Sequence, residues 1–132
     1  MAIWDDEPNE LEFEHAGLSC LILRHRTMGH LSGYVCVPKG HPLYGEIGHD
    51  LRDLDVHGGV TCCGYLKPGG LWCIGFDCAH PGDAIPWPEP YPERPGVYRD
   101  IHYVRRECER LADQLAAHAK EDERCEVPQE KP

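Results

Sequence analysis

The residues best suited to chemistry stand in residues 55–83, DVHGGVTCCGYLKPGGLWCIGFDCAHPGD. This segment supplies two histidines and three aspartates: Asp55, His57, Asp77, His80 and Asp83. Imidazoles and carboxylates are common protein ligands of divalent ions such as Zn²⁺, Mn²⁺ and Mg²⁺. Histidine also titrates near neutral pH, so the same side chains could form an acid–base pair without a metal. The segment is therefore a candidate metal site or a candidate histidine pair.

The strands expected in this segment would bring the five side chains together. Residues 56–65 and 71–78 are rich in apolar residues and are joined by KPGG, which predicts a β-hairpin. In an antiparallel hairpin, the start of the first strand lies beside the end of the second. His57 stands at that start, and His80 follows that end. We therefore expect the histidines and aspartates to meet at one end of the sheet.

The candidate roles follow from residue type. All five side chains are candidate metal ligands, and His57, His80 and Asp77 are the candidate catalytic residues. Four residues are candidates for ligand binding, because glycine lets backbone approach a ligand and tryptophan can stack on a planar base: Gly58, Gly59, Thr61 and Trp72. Together they predict a pocket beside the histidines.

Charge favours the metal site over the bare histidine pair if the ligand is a phosphate. Between Val56 and Gly82 the only lysine or arginine is Lys67, at the turn. An anion would thus meet carboxylates unless a metal ion lay between them. A structural interpretation also stays open, in which the histidines and aspartates cap strand ends, the glycine pair forms a β-bulge and Trp72 packs in the core.

The eight cysteines form no CxxC pair, and most lie in apolar, strand-like runs such as SCLIL, YVCVP and LWCIGF. A thiol in such a run behaves as a small hydrophobic side chain. Because the chain starts with acidic residues rather than a secretion signal, disulfides are disfavoured. Buried free thiols are the favoured interpretation, and a structural zinc or disulfides are the alternatives.

The remaining segments predict an α+β fold, in which a small antiparallel sheet of two hairpins is covered by one C-terminal amphipathic helix. The first hairpin pairs residues 18–26 with residues 30–37, and the loop that follows is expected to hold a helical turn near residues 50–54. Apolar residues at spacings of three and four predict the helix: Ile101, Val104, Cys108, Leu111 and Leu115. We expect this stripe to pack in the core, with a homodimer seam as the alternative.

Composition sets the predicted boundaries. Residues 18–119 form a single domain, preceded by an acidic segment at residues 1–17. A charged tail at residues 120–132 follows the domain and is expected to be disordered. Six prolines within residues 81–96 exclude regular helix there and predict an extended strap over the surface.

The overall charge and hydropathy pattern argue against two classes of partner. A net charge of −10 does not suit a protein that binds a DNA or RNA polymer, because such binding rests on lysine and arginine. No run of apolar residues is long enough for a membrane span. A small anion stays compatible with the charge, because a few local donors or a bound cation can outweigh it. These observations predict a cytoplasmic protein.

Four motifs resemble those of a family of small uncharacterised proteins encoded by bacteriophages and prophages. They are GYVCVPKGHPLYG, DVHGGVT, LWCIGFDCAHPGD and YRDIHYVRRECERLADQL, and the similarity covers roughly residues 18–117. The resemblance implies a phage origin and a location in the host cytoplasm. It also implies a role in modulating host defence, for which some small phage proteins bind or cleave nucleotide signals.

Several functions fit these observations. The first is a metal-assisted hydrolase that acts on a small phosphate-bearing, nucleotide-like ligand. The second is a non-enzymatic, oligomeric sponge that sequesters such a ligand. The third is an inhibitor whose acidic surface binds a host protein. In the fourth, the histidines and aspartates are purely structural. The first two share one prediction, which is a pocket at the end of the sheet where His57 and His80 meet.

Overall fold

The computed structural model describes residues 3–66, 70–87 and 96–126. These residues form two short 3-10 turns, Ile3–Asp6 and Gly48–Leu51, and a set of strands followed by one long helix. The strands and the helix are β1 (Glu10–His15), β2 (Leu18–Arg24), β3 (Leu31–Val37), β4 (Cys62–Gly64), β5 (Trp72–Asp77), β6 (Gly82–Asp83), β7 (Gly96–Val97) and α1 (Ile101–Glu126).

The main sheet has five strands in the order β1-β2-β3-β5-β4, and every neighbouring pair is antiparallel. Together with α1 it gives the α+β fold that the sequence predicts. The first predicted hairpin is confirmed as β2 and β3, with Cys20 opposite Val35. The second is confirmed only in part, because β4 is limited to three residues and His57 lies before it.

The edge strand β1 was not predicted, because the first 17 residues were assigned to a separate acidic segment. The sequence ELEFEH alternates charged and apolar residues, and Leu11 and Phe13 pack against the core. The turn to β2 is made by Ala16 and Gly17, which have φ angles of 55° and 79°. Positive φ at both residues is typical of a tight two-residue hairpin turn.

Helix α1 lies over the sheet and closes the core. Its N-terminus is capped by Asp100, whose Oδ1 accepts a hydrogen bond of 2.9 Å from Tyr103 N. Five of its side chains are fully buried against the strands: Val104, Cys108, Leu111, Ala112 and Leu115. Gly33 on β3 permits this close packing, since a Cβ there would collide with Cys108 Sγ and the Phe76 ring. The stripe therefore forms core, as predicted.

Three local predictions need adjustment or lie partly outside the described residues. The helical turn in the loop after β3 is Gly48–Leu51, slightly before the predicted position. Of the predicted strap, residues 88–95 lie outside the described residues, and its two ends pair as the parallel strands β6 and β7. Helix α1 continues to Glu126, beyond the point at which a disordered tail was expected, and residues 127–132 lie outside the described residues. No helix in the described part of the chain is both long and apolar enough to cross a membrane.

The cysteines divide into two groups. Cys36 and Cys73 lie opposite each other on β3 and β5 and form a disulfide, which corrects the expectation of free thiols at these two positions. Adjacent strands bring the two sulfur atoms together, a proximity that the absence of CxxC spacing did not reveal. Five of the remaining cysteines are free: Cys20, Cys62, Cys63, Cys78 and Cys108. Burial raises the pKa of Cys20 to about 11, which keeps its thiol protonated and inert.

Candidate functional site

Three of the five predicted side chains meet in one cluster. One ligand atom from each of His57, His80 and Asp83 lies within 4.8 Å of the other two, and the group could hold a metal ion. His57 Nε2 is 2.8 Å from Asp83 Oδ2, and His80 Nδ1 is 3.7 Å from the same oxygen. We call this group the histidine–aspartate cluster. Among the described residues it is the only such group, and it contains no cysteine.

The cluster is assembled differently from the way the hairpin argument supposed. His57 lies in the loop before β4 rather than on a strand. Helix α1 holds this loop: His57 N donates a 2.8 Å hydrogen bond to Glu107 Oε1, and His57 Nδ1 lies 2.8 Å from Tyr103 Oη. The predicted meeting of the two histidines is correct, but the helix rather than strand pairing positions the first of them.

A polar stripe on α1 carries these contacts, and its pattern was visible in the sequence. Its members each stand one residue before a residue of the apolar stripe: Tyr103, Glu107, Arg110 and Gln114. They repeat at the same spacings of four, three and four, so they form a second face beside the buried one. This second face contacts the loop that contains Asp55 and His57, although the stripe alone does not show which segment it contacts.

Asp83 is the centre of the cluster. It is only 1% exposed, and its Oδ2 accepts a 3.0 Å hydrogen bond from His80 N in addition to its contact with His57. Its Oδ1 accepts a 2.8 Å hydrogen bond from Arg99 Nε. Burial alone would raise the pKa of this carboxyl, but the hydrogen bonds from His57, Arg99 and the His80 backbone outweigh it and lower the pKa. Asp83 is therefore ionised at neutral pH.

His80 is held against the turn of backbone at Gly58. A Cβ at Gly58, which has a φ of 69°, would collide with three atoms of the His80 ring. The residue must therefore be glycine for the imidazole to lie there. His80 Nδ1 is buried and has no hydrogen-bond partner among the described residues. Asp77 Oδ1 lies 3.5 Å from it, so a carboxylate flanks this nitrogen on a second side.

Two predicted site residues lie away from the cluster. Asp55 faces α1 instead, where Arg110 Nη2 approaches its carboxylate at 3.3 Å and Gln114 Nε2 donates to its backbone oxygen at 2.8 Å. Trp72 stands at the opposite end of β5 from Asp77, about 17 Å away at the usual strand rise. Its indole donates to Glu46 O and packs edge-on against Tyr65, so it belongs to another part of the surface.

The predicted pocket residues divide between two places. Gly58 contacts His80, as described above, whereas Gly59 and Thr61 line a cavity of about 340 Å³. Arg52, Val60 and Cys62 also line this cavity, which shares the 58–61 loop with the cluster. Thr61 N donates to Gly75 O at 2.9 Å and so attaches the loop to β5. This cavity is not lined by His57, His80 or Asp83, so it is not the pocket that was predicted where the two histidines meet.

Arg99 is a site residue that the sequence did not predict. It stands outside residues 56–82, the segment in which Lys67 was the only lysine or arginine, and it is brought to the cluster by the chain just before α1. Its guanidinium lies 5.0 Å from the centre of the Tyr103 ring and, among the described residues, it hydrogen-bonds through Nε to Asp83. The cluster thus contains a cation, and an anionic ligand no longer meets carboxylates alone.

The geometry has the elements of a small catalytic site: two imidazoles, one buried ionised carboxylate, one flanking carboxylate and one arginine. Such a set can hold a divalent ion or move a proton. Comparison of the chain with protein-family models, with curated proteins and with solved structures gave no match. The chemistry of the cluster is therefore argued from its own atoms.

Proposed function

We propose that the histidine–aspartate cluster binds a divalent metal ion and hydrolyses a small phosphate-bearing ligand. The observation that carries the proposal is the unpartnered Nδ1 of His80. A buried polar atom without a hydrogen bond costs about 1–3 kcal/mol, so it is rarely retained without a use. This nitrogen shares its surroundings with His57 and two carboxylates, which is the environment of a metal ligand.

The donor set fits a divalent ion. Catalytic zinc sites use three protein ligands, drawn from histidine and carboxylate, and leave one position for water or substrate. His57, His80 and Asp83 supply two nitrogens and one oxygen. Asp83 also has the support typical of a metal-bound carboxylate, because Arg99 and the His80 backbone fix its orientation.

Each residue has a defined task in the proposed reaction. A divalent ion in the cluster would supply a Lewis acid and lower the pKa of a bound water. Asp77, beside His80, accepts the proton of the attacking water, and the leaving oxygen takes a proton from solvent as its bond to phosphorus breaks. Arg99 offsets negative charge on a phosphoryl group and holds Asp83 in place.

The phage-type motifs support placing this activity in the host cytoplasm, where the ligand would be a nucleotide signal in host defence. A sponge that binds the same ligand without cleaving it is the nearest alternative. A structural role is the other, since the hydrogen bonds of Asp83 also attach β6 to the loop before β4. That role assigns no hydrogen bond to His80 Nδ1, which lies 3.5 Å from Asp77 Oδ1 and 3.7 Å from Asp83 Oδ2.

Metal binding is the first test. We expect Zn²⁺ or Mn²⁺ to bind the purified, chelator-treated protein in titration calorimetry. A concentration of 100 times the dissociation constant should raise the free energy of unfolding by about 2.7 kcal/mol. His80→Ala should lose both effects. His102→Ala, which removes an exposed histidine on α1, should keep both. Equal binding by the two variants would contradict the proposal.

Hydrolysis is the second test. The metal-loaded protein is incubated with bis(p-nitrophenyl) phosphate and with cyclic dinucleotides, and the products are separated by chromatography. Product formation that needs metal and is lost in Asp77→Asn supports the hydrolase. Tight binding of an intact cyclic dinucleotide, recovered unchanged after heat denaturation, would favour the sponge. Neither binding nor turnover, with no metal bound, would leave the structural role.

A further inference from the structure

Both ring nitrogens of His57 have partners of defined type. Nε2 lies 2.8 Å from Asp83 Oδ2, and Nδ1 lies 2.8 Å from Tyr103 Oη. Asp83 is an ionised carboxylate and can only accept a hydrogen bond. When the His57 ring is neutral, its single proton must therefore lie on Nε2. Nδ1 is then an acceptor, and the Tyr103 hydroxyl donates to it.

Metal binding requires the opposite arrangement. His57 Nε2 is the nitrogen that belongs to the cluster, since it faces Asp83 Oδ2, and a metal ligand must offer a lone pair. The proton of a neutral ring then has to lie on Nδ1. Nδ1–H becomes a donor, and its partner must accept. One proton leaves Nε2 and one is taken up at Nδ1 through solvent, so the protein gains and loses none.

We infer that Tyr103 is a positioning residue whose hydrogen bond to His57 reverses direction when metal binds, which stabilises the metal-binding tautomer of His57. The inference rests on the proposed function. A phenol suits this task because its oxygen can both donate and accept, whereas a backbone carbonyl or a carboxylate can only accept. Tyr103 thus satisfies His57 in both states without moving.

The surroundings of Tyr103 hold its hydroxyl in place. Its backbone N–H is bound to Asp100 at the helix cap, so the residue sits in the ordered first turn of α1. Its ring meets the His57 ring edge-on, with centroids 5.4 Å apart, and the Arg99 guanidinium covers it at 5.0 Å. Loss of a fixed hydrogen-bond partner of this kind typically lowers metal affinity by about 10- to 100-fold.

The test combines a spectroscopic and a thermodynamic measurement. Histidine side chains are labelled with ¹⁵N, and the His57 signals are identified by their loss in His57→Asn. Near pH 8.5, where an ordinary imidazole is neutral, we expect Nε2–H without metal and Nδ1–H with zinc. Tyr103→Phe should weaken zinc binding by about 10- to 100-fold in calorimetry. Tyr65→Phe, which removes an exposed hydroxyl outside the cluster, should bind zinc as wild type does.

The outcomes separate this inference from the proposed function. Nδ1–H in the metal-free protein would overturn the inference without any metal experiment. Zinc binding by Tyr103→Phe at wild-type affinity would overturn it and leave the proposed metal site standing. An unchanged His57 tautomer in zinc-loaded wild type would overturn it and would also remove His57 from the proposed donor set. A wild-type protein that binds no divalent ion would overturn both.

Discussion

Two buried polar networks of this protein use similar residues to different ends. In one, Arg24 is 8% exposed and donates to Glu7, Asn9, Tyr98 and the Gly29 carbonyl over distances of 2.8–3.0 Å. Each guanidinium nitrogen has a partner. Glu7 also accepts from the backbone N–H of the first residue of α1, at 2.8 Å, and so ties the N-terminal segment to the helix. This network is closed, and its contacts account for all of its donors.

The histidine–aspartate cluster is open by comparison. Asp83 and His57 are fully bonded, but His80 Nδ1 has no hydrogen-bond partner among the described residues. A closed network is explained by stability, because every desolvated group is compensated. An open network keeps the free-energy cost of a buried nitrogen without a hydrogen bond, and the stability of the fold does not explain that cost. The difference suggests that the first network serves folding and the second serves a ligand.

The largest expected effect comes from breaking the closed network. Arg24→Ala leaves Glu7 buried without its charged partner, which should lower the free energy of unfolding by about 3–5 kcal/mol. Urea denaturation measures the loss. Arg26→Ala removes an exposed arginine two residues away and should cost less than about 0.5 kcal/mol. Similar stability of the two variants would show that the Arg24 network is not a stabilising element.

The next largest effect should come from the backbone that supports His80. Gly58→Ala strains a positive φ and forces the His80 ring to move, at a combined cost of about 3 kcal/mol. Gly59→Ala is a matched control, because its φ of 82° is also positive but its Cβ would meet nothing within 4 Å. We expect the control to cost about 1–2 kcal/mol and to leave zinc affinity unchanged. Equal zinc affinity in the Gly58→Ala and Gly59→Ala variants would show that the position of His80 does not matter for metal binding.

Protonation of Asp83 in acid should lower the free energy of unfolding by less than the substitutions above do, because a protonated carboxyl keeps both of its oxygens. Because hydrogen bonds lower the pKa of Asp83 in the folded state, its contribution is fully present above the unfolded pKa of about 4. The contribution is lost as the pH falls below that value. The stability difference between wild type and Asp83→Asn should therefore shrink as the pH falls from about 5 to about 3. A difference that stays constant over this range would contradict the assignment.

The smallest effect is expected where the network is open. His80→Leu replaces a ring with an unbonded nitrogen by an apolar side chain of similar size, so metal-free stability should stay within about 1 kcal/mol of wild type or rise. The stabilisation by zinc should disappear. A loss of several kcal/mol in the absence of metal would mean that His80 belongs to a closed, structural network after all.

Regular periodicity made part of the fold predictable. The first hairpin and the helix have clear spacings of apolar residues, and both were found. Strand β1 has an equally clear alternation, but its high acidic content was taken as the mark of a terminal segment. Strand β4 ends at Gly64, and the loop that precedes it is held by the helix instead of by strand pairing.

The candidate site was predictable only where residues are close in sequence. His80 and Asp83 are three residues apart, and their link to His57 followed from a turn between neighbouring segments. Arg99 and Tyr103 come from beyond the proline-rich segment, so no local pattern connects them with the cluster. Asp55 was misplaced because the hairpin argument put it at the end of a strand, whereas it lies in a loop, in which adjacent side chains can face different elements.

The Cys36–Cys73 bond has a consequence for how the cluster is held together. It closes a ring of chain whose ends are 37 residues apart, and His57 lies inside this ring whereas His80 and Asp83 follow it. Closing a loop of that length restricts the unfolded chain by about 4 kcal/mol in the loop-entropy model. Under oxidising conditions the segment that carries His57 is cross-linked at both ends through β3 and β5, whereas in a reducing compartment this cross-link is absent. Reduction of the disulfide would therefore raise the entropy of the unfolded chain and lower the stability on which the geometry of the cluster depends.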